Sequence, residues 1–260
     1  MIISSRKNPA VMLFRELNKE RRAREREGKF NIEGAKLCGE AIDAGLTITN
    51  AFITEEAEKK YPDISRKIRD VLEPAVITDD IASYISDTKT PQGIFLTAQT
   101  LDKDEKMCKI YSMKYILLDG LQDSGNVGTI IRTCDALGIG RVVMSPDCAD
   151  VYSPKVVRSA MGSLFRVNVQ TAPLPCFIAG LQADGYTVYA AVLDRKAESI
   201  ESAAFPDKCA VVIGNEGSGV SQDVINAAGK SIYIPIENAE SLNASVAAAL
   251  FCYEMRRKNG

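Results

Sequence analysis

The feature that most constrains this chain is the alternation, through its second half, of short apolar runs with longer stretches of helical spacing. Apolar runs stand at residues 115–118, 142–144, 187–192, 209–213 and 231–234. Runs this short are of strand length, and helical segments between consecutive runs imply parallel strands joined by crossovers. The spacing closes on a helix from about 242 to 258, whose basic end, Arg256-Arg257-Lys258, matches the negative end of the helix dipole.

The first hundred residues repeat the alternation on a smaller scale, as a compact α/β module does. Asn8-Pro9 offers a capping residue followed by proline at the first helical position, and Val11, Phe14 and Leu17 then recur at helical spacing. Strands are expected at 50–53, 75–77 and 94–98, separated by helices around 35–44, 64–72 and 79–85. The polar stretch QTLDKDEKMCK, residues 99–109, breaks the pattern. The expected division is a smaller N-terminal domain over 1–100, a linker over 101–112 and a second domain over 113–260.

Composition removes several chemistries. The chain of 260 residues has no histidine, which excludes Ser-His and Cys-His nucleophile pairs, HExxH zinc sites and the usual neutral-pH base. Seven scattered cysteines without a CxxC pair argue against a disulfide framework and a structural metal. No run approaches the ~18 apolar residues of a membrane span, and an early charge at Arg6 argues against a signal peptide. A cytoplasmic protein without metal or membrane partner is expected. A net charge of -2 does not announce a nucleic-acid binder. Residues 15–29, RELNKERRAREREGK, nevertheless hold seven basic and four acidic side chains. Alone, such a run reads as a solvated helix face laced with salt bridges.

Three segments of the second half are unusual as connections. In LLDGLQDSGNVGTIIRTCDALGIG, residues 117–140, a strand ends at Asp119-Gly120 and a polar turn leads to Asn126 and a helix bearing Arg132. Arg132 lies near two turns beyond Asn126, so both are expected to face one cleft. In VVIGNEGSGVSQD, residues 211–223, a strand runs into Gly214, Gly217 and Gly219, which can turn backbone N–H groups toward a ligand. Glu216 among them opposes phosphate, and neither the P-loop nor the GxGxxG pattern is present. It suits a cationic or hydroxyl-bearing ligand, or it holds an arginine such as Arg132. In IYIPIENAESLNASVAAAL, residues 232–250, Ser241, Asn243 and Ser245 precede an alanine-rich helix. Helix capping explains one of them, not all three.

In this order and spacing, NVGTIIR (126–132), VVIGNEGSGVS (211–221) and IPIENAESLNASVA (234–247) resemble the three signature motifs of the SpoU, or TrmH-like, branch of the SPOUT RNA methyltransferases. VVRSAMGSLFRVNV (156–169) fits the same family. FNIEGAKLCGEAI and SDTKTPQGIF resemble the L30e-like substrate-binding domain that precedes it in many ribosomal-RNA members.

The resemblance implies an α/β fold whose second domain has a parallel sheet and a deep C-terminal trefoil knot. It implies S-adenosylmethionine held by Gly214, Ile234 and Leu242, with Val192, Leu193, Asn215, Gly217, Ile236 and Ser245 as neighbours. It places Arg132 at the reaction centre, surrounded by Asn126, Glu216, Ser241 and Asn243, in a homodimer with the site near the subunit interface. Arginine is a poor base in water. The expected role of Arg132 is therefore to grip an RNA phosphate and polarise a ribose 2′-oxygen, Glu216 and Asn126 orienting its guanidinium. The family's own proposal is proton removal by a transiently neutral Arg132.

With RNA expected, Arg15, Arg21, Arg22, Arg24 and Lys29, with Arg158 and Arg166 near the site, become candidate phosphate contacts. The expected reaction is 2′-O-methylation of RNA, with 23S ribosomal RNA ahead of transfer RNA by family analogy. A non-catalytic ribosomal-RNA binder is the alternative that would not need Arg132, Glu216 and Asn243 together.

Overall fold

The computed structural model describes residues 2–101 and 113–257, so all of the expected linker beyond Leu101 lies outside the described residues. The chain divides into two compact units that do not follow chain order. One comprises residues 2–101 together with 150–165, and the other 113–149 with 166–257. Residues 150–165 therefore pack with the N-terminal unit although they lie within the span expected for the second domain.

The first unit is built on a five-stranded mixed sheet. Its order is Ile2–Ile3, Ala75–Ile77, Ile48–Thr54, Ile94–Gln99 and Lys29–Glu33. The first three strands are parallel, and Ile94–Gln99 runs antiparallel to both neighbours. Asn8 caps the helix Pro9–Lys19 as expected, its Oδ1 accepting from the Ala10 and Val11 amides. That helix lays Val11, Phe14 and Leu17 on the sheet, all buried. The Phe14 ring meets Phe52 and Phe95 edge-on at 5.8 and 5.7 Å, a favourable geometry for aromatic pairs. The helix Glu55–Lys60 was not expected, because EEAEKK carries no apolar period. Its start is set by Thr54, which accepts from the Ala57 amide.

Residues 150–165 join this unit through specific contacts. The Tyr152 ring lies 4.8 Å from that of Phe30, and its hydroxyl accepts from the Leu101 amide at 2.9 Å. Arg24 forms an ion pair with Asp150 at 2.6 Å, their side chains only 6% and 15% exposed. Arg158, on the helix Pro154–Ala160, pairs with Asp87 at 2.6 Å.

The second unit is a seven-stranded, wholly parallel sheet. Its order is Glu198–Ser199, Lys230–Tyr233, Thr187–Ala191, Cys209–Gly214, Lys114–Asp119, Arg141–Met144 and Asn168–Thr171. The central strands are apolar along their length because both faces are covered. Ile116, Leu117 and Leu118 are buried completely, as are Val211 and Val212. The helices Leu174–Ala183 and Gln222–Ala228 cover one face through Leu174, Ile178, Leu181 and Val224. The C-terminal helix Ala244–Arg257 packs against the helix Ser124–Leu137, where buried Cys134 and Cys252 bring their sulfurs to 3.9 Å.

Candidate active site

Lys114–Asp119 and Cys209–Gly214 lie side by side in register, with Asp119 opposite Gly214 at their carboxyl ends. From Lys114–Asp119 the chain moves outward through Arg141–Met144 to Asn168–Thr171. It then continues on the other side of Cys209–Gly214. Such a reversal of strand order leaves a crevice beyond the carboxyl ends, where open α/β sheets bind ligands.

The three unusual segments meet there. Asp123 caps the helix Ser124–Leu137 by accepting from the Asn126 amide at 2.9 Å, which fixes Asn126 in the first turn. Asn126 Nδ2 donates to Glu216 Oε1 at 2.9 Å, and Asn126 Oδ1 accepts from Asn243 Nδ2 at 3.1 Å. Asn243 Oδ1 in turn accepts from the Ser245 amide at 2.9 Å and the Ser245 hydroxyl at 2.7 Å. Four side chains from the three segments thus form one hydrogen-bonded chain at the surface.

The turn carrying Glu216 is held at both ends. Asn215 Nδ2 donates to the Gly120 carbonyl at 2.7 Å, while its Oδ1 accepts from the Gly217 and Ser218 amides at 2.9 and 3.2 Å. At the far end the Ser221 amide donates to Asp119 Oδ2 at 2.7 Å. Gly214 is required by close approach. A Cβ there would stand 2.1 Å from the Gly219 carbonyl carbon and 2.2 Å from the Val220 nitrogen. Asp119, only 8% exposed, and Asp123 were not singled out from sequence. Asp123 carried a signal, since an aspartate three residues before Asn126 has N-cap spacing. Asp119 carried none beyond standing at a strand end.

The residues expected to hold a cofactor share this edge. Val192-Leu193 and Ile234 follow the strands Thr187–Ala191 and Lys230–Tyr233, and Gly214 ends Cys209–Gly214; in the sheet, Thr187–Ala191 lies between the other two. Leu193 is 69% exposed, and Val192, Ile234, Ile236 and Leu242 are half-buried.

Other expectations are corrected. Arg132 lies six residues beyond Asn126, a rotation of about 600° and so about 120° short of two full turns. It is exposed and makes no hydrogen bond or ion pair with a described residue. Glu216 and Asn126 hold each other in this structure and do not orient its guanidinium. Ser241 is exposed and outside the hydrogen-bonded chain. Arg24 is not a phosphate contact, because its buried guanidinium is committed to Asp150 and the Leu17 carbonyl. Arg158 is likewise paired, with Asp87. Arg21 pairs with Glu25 and Arg166 with Asp135, while Arg15 lies 4.0 Å over the Tyr84 ring. Arg22 is exposed and Lys29 half-buried, neither in an ion pair with a described residue. Exposed pairs are worth about 1 kcal/mol or less, so they can exchange a carboxylate for a phosphate, whereas the buried Arg24 cannot.

Residues 113–253 match the model described as the SpoU rRNA Methylase family. The chain belongs to that family. Residues 8–96 match an MRM3-like substrate binding domain. Among curated proteins, the chain is 33% identical over 258 residues to the Bacillus subtilis 23S rRNA (guanosine(2553)-2'-O)-methyltransferase RlmP, covering 98% of each. A 23S rRNA (uridine(2479)-2'-O)-methyltransferase of Streptomyces viridochromogenes is 26% identical, over 98% of this chain and 92% of that protein. Among solved structures, an AdoMet-bound rRNA methyltransferase from Sinorhizobium meliloti superposes with a TM-score of 0.86 at 26% identity. That match covers 99% of this chain and 97% of the other. The α/β fold with its parallel sheet is that of the family, and the protein is an S-adenosylmethionine-dependent RNA methyltransferase.

Proposed function

We propose that the enzyme transfers a methyl group from S-adenosylmethionine to a ribose 2′-hydroxyl of 23S ribosomal RNA, working as a homodimer. The observation that carries the reading is the hydrogen-bonded chain Ser245–Asn243–Asn126–Glu216, assembled from all three motifs at the strand crevice. The printed activities of the Bacillus and Streptomyces relatives support the ribose and the 23S target. The match of residues 8–96 supports RNA binding by the N-terminal domain.

The residues fit the cofactor. Exposed Leu193 with half-buried Val192, Ile234, Ile236 and Leu242 offers apolar surface to a purine ring, next to the glycine-rich turn from Gly214 to Gly219. When bound, S-adenosylmethionine supplies an electrophilic methyl group. The chain's own residues then have to place and polarise the hydroxyl that accepts it. Glu216 and Asn126 provide a fixed acceptor and dipole for that hydroxyl. Arg132, free of protein partners among the described residues, is available to an adjacent RNA phosphate.

The homodimer is supported by the C-terminal helix. Val246, Leu250 and Tyr253, spaced by four and three residues, form an apolar stripe with exposures of 48%, 40% and 55%. A second copy of this helix is its proposed occupant. We also propose the family's trefoil knot for the C-terminal segment and a cytoplasmic location. Among the described residues no helix is long and apolar enough to cross a membrane.

The test is methyl transfer from labelled S-adenosylmethionine to ribosomal RNA isolated from cells lacking the enzyme, followed by mapping of the modified ribose. Label appearing on a base, on transfer RNA only, or not at all overturns the reading. Sedimentation of the enzyme at the mass of one chain overturns the dimer.

A further inference from the structure

The hydrogen-bonded chain at the crevice runs in one direction only, and we infer that the Ser245 hydroxyl is the positioning group that holds Asn243 in that direction, adding to the bond from the Ser245 amide. A backbone amide can only donate, so the Asn243 atom 2.9 Å from the Ser245 amide must be its oxygen. The Ser245 hydroxyl, 2.7 Å from the same atom, donates to it as well. Asn243 therefore turns its Nδ2 toward Asn126, and an N–H at 3.1 Å requires the Asn126 oxygen to face it. Asn126 is left with its own Nδ2 toward Glu216, whose carboxylate accepts at 2.9 Å. Every N–H or O–H in the series points toward Glu216, and each donation strengthens the next.

The direction has a chemical consequence for what docks there. Glu216 receives Asn126 on Oε1, while its other oxygen has no hydrogen bond to a described residue and the side chain is exposed. A carboxylate so fixed accepts a hydrogen bond from a hydroxyl, ammonium or guanidinium and repels a phosphate. Resting on the methyl-transfer reading above, the relay seats a donor group of the nucleotide, its ribose hydroxyl, against Glu216. It also keeps the phosphate away from this point. Ser245 acts through Asn243 and Asn126 without touching the RNA, which departs from the cofactor contact expected of it from sequence.

The experiment measures kcat and KM on ribosomal RNA, together with cofactor affinity by calorimetry, for the full chain and three variants. Ser245→Ala keeps the backbone amide and loses the hydroxyl. A fall in kcat of about fivefold is expected, close to one ordinary hydrogen bond, with cofactor affinity within about twofold. Ser245→Thr restores the hydroxyl and is expected to restore kcat. Asn243→Asp preserves shape but cannot donate to Asn126, which forces Asn126 to turn its oxygen toward Glu216. A fall of about a hundredfold is expected.

Three results overturn the inference. They are unchanged kcat in Ser245→Ala, a cofactor affinity that falls in step with activity, and a folded Ser245→Thr that fails to recover. Should the unaltered enzyme transfer no methyl group, the functional reading fails by itself. The relay is then tested by the Asn126 and Asn243 side-chain amide resonances, which shift in Ser245→Ala if Ser245 orients them and stay in place if it does not.

Discussion

Replacing Arg24 with alanine tests whether residues 150–165 are fastened to the N-terminal unit by charge. The Arg24 side chain is 6% exposed and that of Asp150 15%, and Nε and Nη2 both reach Asp150 Oδ2, each at 2.6 Å. Removing the guanidinium leaves a largely buried carboxylate without its counter-charge and also deprives the Leu17 carbonyl of its donor. One-sided loss of a buried pair costs about 3–5 kcal/mol, most of it the price of the orphaned charge. The double change Arg24→Met with Asp150→Leu removes both charges. It still loses the donor to the Leu17 carbonyl and the acceptor for the Tyr152 amide, 2.9 Å from Asp150 Oδ1, so about 2 kcal/mol of destabilisation is expected. Because the chain has no tryptophan, hydrogen exchange read by mass spectrometry is the suitable assay. Peptides from 150–165 and from the helix Pro9–Lys19 should lose protection in Arg24→Ala and largely regain it in the double variant. Peptides from Ser124–Leu137 should change little. Equal protection in Arg24→Ala and the unaltered chain would refute the argument. So would a double variant as damaged as the single one.

The active-site turn makes sharper predictions. Gly214→Ala drives a methyl group into the Gly219–Val220 backbone, which must move. S-adenosylmethionine affinity, measured by calorimetry, should fall by more than about tenfold, or about 1.4 kcal/mol. Asn126→Asp sets a second carboxylate against Glu216 Oε1 in place of an amide donor 2.9 Å away. Turnover should fall about a hundredfold, with circular dichroism unchanged. Burial pushes the Cys209 thiol from 9.0 up to about 12 and the Tyr189 phenol from 10.0 up to about 12. Both groups hold their proton more tightly when folded. Their contribution is complete below about pH 9 and is lost progressively as pH rises toward 12, where the unfolded chain alone has ionised. Thermal midpoints should therefore decline over that window, and less steeply in Cys209→Val. A flat profile from pH 9 to 11 would contradict the assignment.

What was legible in the sequence follows from the range of the forces involved. The buried parallel strands announced themselves because a strand covered on both faces must be apolar throughout, and 209–213 is visible by composition alone. The helix Glu55–Lys60 and the strand Lys29–Glu33 gave no such signal, since their placement depends on a cap and on antiparallel pairing with Ile94–Gln99. Motif spacing located Asn126, Glu216 and Asn243, yet it could not tell which atoms meet. Arg132 illustrates the limit: six residues are about 120° short of two turns, and among the described residues its guanidinium bonds to neither Asn126 nor Glu216. Arg24 illustrates a deeper one. Nothing local distinguishes it from Arg21 or Arg22 beside it, and its partner lies 126 residues away in sequence. A charge becomes buried only when a distant segment arrives to neutralise it, so an arginine closed to RNA looks, from its neighbours alone, as available as Arg21 and Arg22.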